Sequence, residues 1–338
     1  MNVIRLLSLC LLCLFCSATL STAVTIKIAT AAPEGSSWMR EMRAGAIEIG
    51  QRTEGRVKIK FFAGGVMGND KSVLRKMRVG QLHGGAFTSG SLERIAPSIN
   101  LYGLPLIFRS YAEVDYVRRQ MDVDLKQVLE EAGFACFGFA EGGFALLMSQ
   151  QPIWTIDDVR GQKIWVPEGD TISYRVMESL GLAPVTLPIT DVMTGLQAGL
   201  VDVIASSPIG ALAFQWHTRV KSVTNTPLSY LYATMVIDKK AFSKIPTADQ
   251  QIVREVMEGI YTKINQANRI DNESAIHAMA DTGIDFVEMT DKEIGKWRGI
   301  AKGVINEMRQ EGLFSAELYG RMQLLLEQYR KAQVAVQQ

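Results

Sequence analysis

Little in this sequence invites chemistry. Histidine occurs three times in 338 residues, at His83, His217 and His277, far apart and without metal-ligand spacing. There is no HExxH, no Walker loop, no GxSxG elbow and no GxGxxG set between a strand and a helix. Only a Ser-His-Asp triad assembled from distant residues stays open as a catalytic reading. No catalytic residue, metal or cofactor is therefore expected. Charge of one sign is also missing. A net charge of +1 supplies no clustered basic surface, which argues against nucleic acid as a partner. With 47% hydrophobic and 21% charged residues the composition is that of an ordinary folded protein, and the chain carries no low-complexity linker.

Cysteine is scarce and unevenly placed. Three of the four, Cys10, Cys13 and Cys16, fall in a segment that reads as a secretory signal: Arg5 supplies a positive charge, Leu6 to Phe15 is a short apolar run, and Ser21-Thr22-Ala23 offers small residues for cleavage. The run is shorter than the roughly 20 residues that cross a bilayer. Bulky Phe15 before Cys16 argues against lipidation. Residues 1–23 are thus expected to be removed, leaving Cys136 alone and no intrachain disulfide. Its setting, Phe134 to Ala140, reads as a buried strand with Cys136 as a small hydrophobe.

The remainder reads as α/β. Val24 to Thr30 alternates as a strand, a helix capped by Ser36 or Ser37 carries Trp38, Met42, Ala46 and Ile49 on one face, and Val57 to Phe62 is a second strand. Such a β-α-β opening predicts a parallel sheet covered by helices. Residues 73–87 also resemble residues 192–206, with Gly80 on Gly199 and His83 on Asp202, in each case a helix stopped by glycine before an apolar strand. Two lobes of similar construction are expected. Gln150 to Trp154 is the expected crossing between them. A Thr247-x-x-Gln250 capping box predicts a helix running to about Met279, long enough to brace both lobes. Helices near Asp291 to Glu311 and Ala316 to Ala335 finish the chain.

Small and aromatic residues gather at strand ends, where open α/β sheets bind ligands. They are Ala31 to Trp38, Gly84 to Gly90, and Ala205 to Pro208. A cleft follows from three such loops.

The stretches IKIATAAPEGSSW, FFAGGVMGNDKSVLRKMRVGQL, YGLPLIFRSYAEV, DDVRGQKIWVPEGD and GLQAGLVD resemble the dicarboxylate-binding type of solute-binding proteins from tripartite ATP-independent periplasmic (TRAP) transporters, the DctP family. The resemblance runs from about Val24 to Arg330. It implies a two-lobed periplasmic-binding-protein-like α/β fold with crossing strands and a long bracing helix: lobe I at 24–149 with about 235–265 returning to it, and lobe II at 150–234 with about 266–338. It also implies a periplasmic receptor that hands a small molecule to a small and a large integral membrane subunit. A secreted enzyme or a sensing subunit are the alternatives.

One departure from the family pattern bears on the ligand. The arginine expected in a Lys-x-Arg-x-Pro strand falls on Trp165 of Lys163-Ile164-Trp165-Val166-Pro167, a second falls on Phe144, and an acidic residue of the first-lobe loop falls on or near Thr88. Losing a buried guanidinium predicts a ligand with an aromatic or apolar body. Trp165, Phe144, Thr88, Ser89, Ser206, Ser207, Trp38 and Tyr232 are the expected ligand-binding residues, and Trp165→Ala is expected to weaken binding while leaving the fold intact. The alternative is an ordinary C4-dicarboxylate or sugar acid held by an arginine elsewhere, Arg94 or Arg109.

Overall fold

A computed structural model describes residues 23–337, so all but the last residue of the expected signal segment lies outside the described residues. In chain order the elements are β1 (Val24–Thr30), α1 (Ser37–Arg52), β2 (Val57–Phe62), α2 (Asp70–Arg78), β3 (Gly84–Thr88), α3 (Tyr111–Glu131), β4 (Phe134–Cys136) and β5 (Ala140–Ser149). They continue with β6 (Lys163–Pro167), α4 (Thr171–Ser179), β7 (Ala183–Leu187), α5 (Val192–Gln197), β8 (Val203–Ser206), α6 (Pro208–Ala213) and β9 (Ser222–Asp238). Last come α7 (Thr247–Asp281), β10 (Asp285–Val287), α8 (Asp291–Gln310) and α9 (Ala316–Gln337). Short single-turn helices lie between some of them.

The two lobes repeat one local design. β1 pairs in parallel with β2 and β3, and β6 pairs in parallel with β7 and β8. α2 and α5 each give way to a glycine in the left-handed region, Gly80 at φ 75 and Gly199 at φ 66, which a residue with a Cβ adopts only with strain. The likeness extends to single hydrogen bonds. His83 Nδ1 accepts from the Lys27 N–H at 3.1 Å, and Asp202 Oδ2 accepts from the Lys163 N–H at 3.0 Å. Each side chain satisfies an amide of the central strand of its lobe.

A single sheet joins the lobes, in the order β2-β1-β3-β9-β5-β8-β6-β7. The C-terminal half of β9 pairs with β3 and β4, and the strand runs on beside β5 from Ala140↔Ala233 to Ser149↔Ser222. The far end of β5 pairs with β8 in lobe II. The crossing is therefore made by β5 and β9 themselves.

Two expectations need correction. Residues 134–140 are not one strand, because β4 stops at Cys136 and Gly138 passes so close to Tyr261 that a Cβ there would meet the ring at 2.8 Å. Cys136 is buried in β4, and burial pushes its thiol up, as suits a packing role. Nor does Thr247 cap α7. Pro246 precedes the helix without a side-chain cap, and the Gln250 amide donates instead to the Ile245 carbonyl at 2.8 Å.

α7 has 35 residues, about 52 Å at 1.5 Å per residue, and it touches both lobes. In lobe I its Ile260 packs where a Cβ on Gly45 of α1 would stand 2.8 Å away. Towards lobe II, Asn272 Oδ1 accepts from the Ile209 N–H of α6 at 3.1 Å. Between these contacts β5 bulges at Glu141 to Gly143, with Gly143 at φ 94, which leaves backbone groups without strand partners. A polar stripe of α7 supplies them. Asn265 accepts from the Glu141 N–H at 2.7 Å, Asn268 donates to the Glu141 carbonyl, and Asn272 donates to the Gly142 carbonyl at 3.3 Å.

The Glu141 carboxylate is only 1% exposed, and Arg269 of the same stripe binds it through Nε and Nη2, both at 2.9 Å. The Tyr230 hydroxyl of β9 donates to it at 3.0 Å. Removing one partner of a buried pair strands the other charge. Arg269→Ala is thus expected to lower unfolding free energy by about 3 kcal/mol, the low end because Arg269 reaches solvent, while Asp115→Ala on the exposed side of Arg269 costs about 1 kcal/mol or less. Urea denaturation checks the difference, and equal losses would contradict this account of the crossing.

Candidate functional site: the cleft between the lobes

A cleft of about 1090 Å³ lies over the crossing strands. Its floor is Glu141 and Gly142 of β5 with Tyr230 to Ala233 of β9. One wall comes from the loops after β1 and β3 in lobe I, the other from the strand ends and α6 region of lobe II. Because Arg269 neutralises Glu141, the floor presents no free charge.

Seven of the eight expected ligand-binding residues line this cleft: Trp38, Thr88, Ser89, Trp165, Ser206, Ser207 and Tyr232. Phe144 does not. The bulge at Gly143 shifts the alternation of β5, and the Phe144 ring packs instead on Tyr111 at 4.9 Å and Tyr230 at 5.9 Å. Arg94 reaches the cleft as an exposed rim residue, whereas Arg109 lies outside the lining.

Trp165 projects from β6 and is 4% exposed. Its indole Nε1 donates to the Leu187 carbonyl of β7 at 2.9 Å, and its ring meets Trp216 edge-on at 5.2 Å. Phe214 stacks on the other ring system at 4.9 Å and 17°. Trp165, Trp216 and Phe214 therefore build an aromatic wall on lobe II, two members of which the sequence reading missed. Phe214-Gln215-Trp216, two large aromatics spaced by one residue directly after an apolar helix, was the signal that could have found them.

The hydroxyls are held by the protein. Ser207 caps α6 by accepting from the Gly210 N–H, Ser206 donates to the Ser207 carbonyl at 3.1 Å, and Ser89 donates to Asn100 Oδ1 at 2.7 Å. The Tyr232 hydroxyl donates to the Ile99 carbonyl, and burial raises its pKa, so it stays neutral. A hydroxyl that donates to protein keeps acceptor lone pairs, so Ser206 and Tyr232 are suited to receive hydrogen bonds from a ligand. In lobe I, Thr88 lies 3.1 Å from Ser91 Oγ, which donates to Asp70, and burial pushes the Asp70 carboxyl up.

The mouth is shut. Asn69 Nδ2 of lobe I donates to Glu168 Oε2 of lobe II at 3.0 Å, and Asn100 reaches Asp170 at 3.4 Å. Backbone passes so close there that a Cβ on Gly65 would lie 2.6 Å from the Thr190 side chain, and one on Gly90 2.9 Å from that of Asp170.

A family profile described as Bacterial extracellular solute-binding protein, family 7, matches residues 28–311. The C4-dicarboxylate-binding periplasmic protein DctP of Rhodobacter capsulatus is 24% identical over 264 residues, which is 76% of this chain and 78% of that protein. Among solved structures, a TRAP periplasmic solute binding protein from Sulfurospirillum deleyianum with bound succinate superposes with a TM-score of 0.82 at 19% identity, covering 90% of this chain and 99% of that one. One from Desulfovibrio salexigens with bound orotic acid gives 0.83 at 16% identity, covering 90% and 99%. Both share the two-lobed fold.

Trp165 is at once wall and core, which changes what its removal tests. Truncation to Ala empties a packed aromatic site and leaves the Leu187 carbonyl with the Glu168 N–H as its remaining donor, so Trp165→Ala is expected to cost about 3 kcal/mol of stability and not to leave the fold untouched. Trp165→Phe keeps most of the volume and should cost about half as much or less by thermal denaturation. Equal stability of Trp165→Ala and the parent would show that the ring is not packed as described.

Proposed function

The chain belongs to family 7 of the bacterial extracellular solute-binding proteins, and from that premise we propose that it is the receptor of a TRAP-type secondary transporter for a small organic solute with an aromatic or apolar body. The observation that carries the ligand class is the aromatic wall of Trp165, Trp216 and Phe214, standing where the family pattern carries a carboxylate-binding arginine. Among the described residues Arg269 is the arginine that touches the floor's carboxylate and is consumed by it, and the arginines that line the cleft are exposed on the rim. Burying a dicarboxylate without a charged partner costs several kcal/mol, whereas a ring on an aromatic wall gains roughly 0.5–1.5 kcal/mol beyond area burial.

The solute enters while the lobes are parted and is enclosed as they swing together on β5 and β9, the hinged closure that isolates it from water. Lobe I is taken as 24–149 with about 235–265 returning, and lobe II as 150–234 with about 266–338; the strand crossing supports the boundary near 149, whereas α9 packs on α3 of lobe I through Arg321 with Asp124 and Arg330 with Glu113. The closed receptor then docks on a small and a large integral membrane subunit. Residues 1–23 direct the chain to the periplasm and are removed, so N-terminal sequencing of exported protein should begin near Val24, and retention of Leu6 to Phe15 would contradict export by cleavage.

The ligand class is tested by titration calorimetry of the mature protein with aromatic acids, indoles and succinate. Ring-bearing solutes are expected to bind and to stabilise the protein by about 2.7 kcal/mol at a hundredfold excess over Kd, with Trp165→Phe weakening them several-fold. Micromolar succinate binding that Trp165→Phe leaves unchanged would overturn the reading in favour of an ordinary dicarboxylate receptor.

A further inference from the structure

Glu93 follows the short helix Ser89–Leu92 of lobe I and is 7% exposed. Asp170 caps α4 of lobe II, accepting from the Ser173 N–H at 2.9 Å and its hydroxyl at 2.7 Å. Buried Asn100 lies between them. Its Nδ2 is 3.4 Å from Glu93 Oε2 and 3.4 Å from Asp170 Oδ1, while its Oδ1 is fixed by Ser89 at 2.7 Å. One amide thus bridges a carboxylate from each lobe, and Gly90 leaves just enough room for the Asp170 side chain.

Among the described residues no cation balances them. Among the described residues neither carboxylate forms an ion pair. Glu93 faces Asp170 and the neutral Thr171 and Asn100, and Asp170 faces Glu93, Asn100 and Ser173. Asp70 and Glu168, the other acids at the mouth, carry the same sign, and Glu168 adds to the rise at Asp70. Arg94, next in sequence to Glu93, is exposed on the rim and unpaired among the described residues.

We propose that Glu93 and Asp170 form a proton-linked latch, in which shutting the lobes brings the two carboxylates onto the Asn100 amide and takes up one proton, so that acid favours the closed receptor. The latch rests on the hinged-trap reading above. Its sign follows from linkage. Burial and the nearby Asp170 raise Glu93 from 4.5 to about 7 in the closed form, and burial raises Asp170 in the same direction. When the lobes part, the carboxylates separate and Glu93 falls towards its ordinary value. Closure is therefore fully favoured below about 4.5 and is progressively lost as pH rises to about 7. The ceiling is about 300-fold in the closed-to-open ratio, and because part of the burial of Glu93 belongs to lobe I alone, tenfold or more is expected between about pH 5 and pH 8.

The test needs no ligand. Spin labels at Val66→Cys on lobe I and Leu200→Cys on lobe II, both exposed positions, report the distance between lobes in the mature protein, and buried Cys136 stays unlabelled. The distance distribution should shift from short to long between pH 5 and pH 8, and Glu93→Gln, which keeps the shape and loses the charge, should stay short at both. A third protein, Gly90→Phe, cannot shut for lack of space and should be long at both. No pH response in the parent, or an unchanged response in Glu93→Gln, overturns the latch. If Gly90→Phe still lengthens the distance, the hinged trap survives that failure; if no protein ever shows a longer distance, the trap fails as well.

Discussion

The architecture depends on how α7 holds the bulged strand at the crossing. Where β5 bulges at Glu141 to Gly143 the sheet cannot satisfy its own backbone, and Asn265, Asn268 and Asn272 of α7 do so instead. Arg269 lies on the same stripe and neutralises the carboxylate that the bulge buries. Without these contacts two small sheets would be joined only by extended chain. With them, the joint is a packed element whose position is set from lobe I by Ile260 and towards lobe II by the Asn272 contact with α6.

Function follows from that joint. A floor that is fixed and electrically neutral lets the walls decide what is bound, and the walls differ in kind. Lobe II offers the aromatic surface of Trp165, Trp216 and Phe214, while lobe I offers hydroxyls and the half-buried Asp70. Contacts of Asn69 with Glu168, and of Asn100 with Asp170, draw both surfaces over one partly sheltered cleft. Polar contacts in such a space are worth more than at an open surface.

Much of the fold was legible in the sequence because it rests on local signals. Alternation in Val24 to Thr30, the Ser36 cap and the glycine stops at Gly80 and Gly199 each act within a few residues, and the pairing of His83 with Asp202 was visible as a repeat. Most of the cleft was legible for the same reason, since loops at strand ends face it whatever the details. Phe144 was misplaced because a single bulge reverses which face a strand residue takes, and a bulge is decided by tertiary contacts with Asn265, Asn268 and Asn272. The polar stripe was overlooked although its spacing is helical. Asn265, Asn268, Arg269 and Asn272 continue the apolar face of Val253, Val256, Ile260 and Ile264, and polar residues at buried positions of such a stripe signal a partner with unmet hydrogen bonds.

The most direct measurement is hydrogen exchange of the ligand-free protein, resolved to single amides. If α7 fixes the crossing while the mouth opens, the Glu141 amide, whose acceptor is Asn265, and the β9 amides from Tyr230 to Ala233 should exchange slowly, and the mouth segments 65–70, 88–91 and 168–171 should exchange orders of magnitude faster. Asn265→Ala should speed Glu141 without altering the mouth. A crossing that exchanges as fast as the mouth would mean that the lobes are joined by a loose strand pair, and the account of a fixed pivot would be wrong.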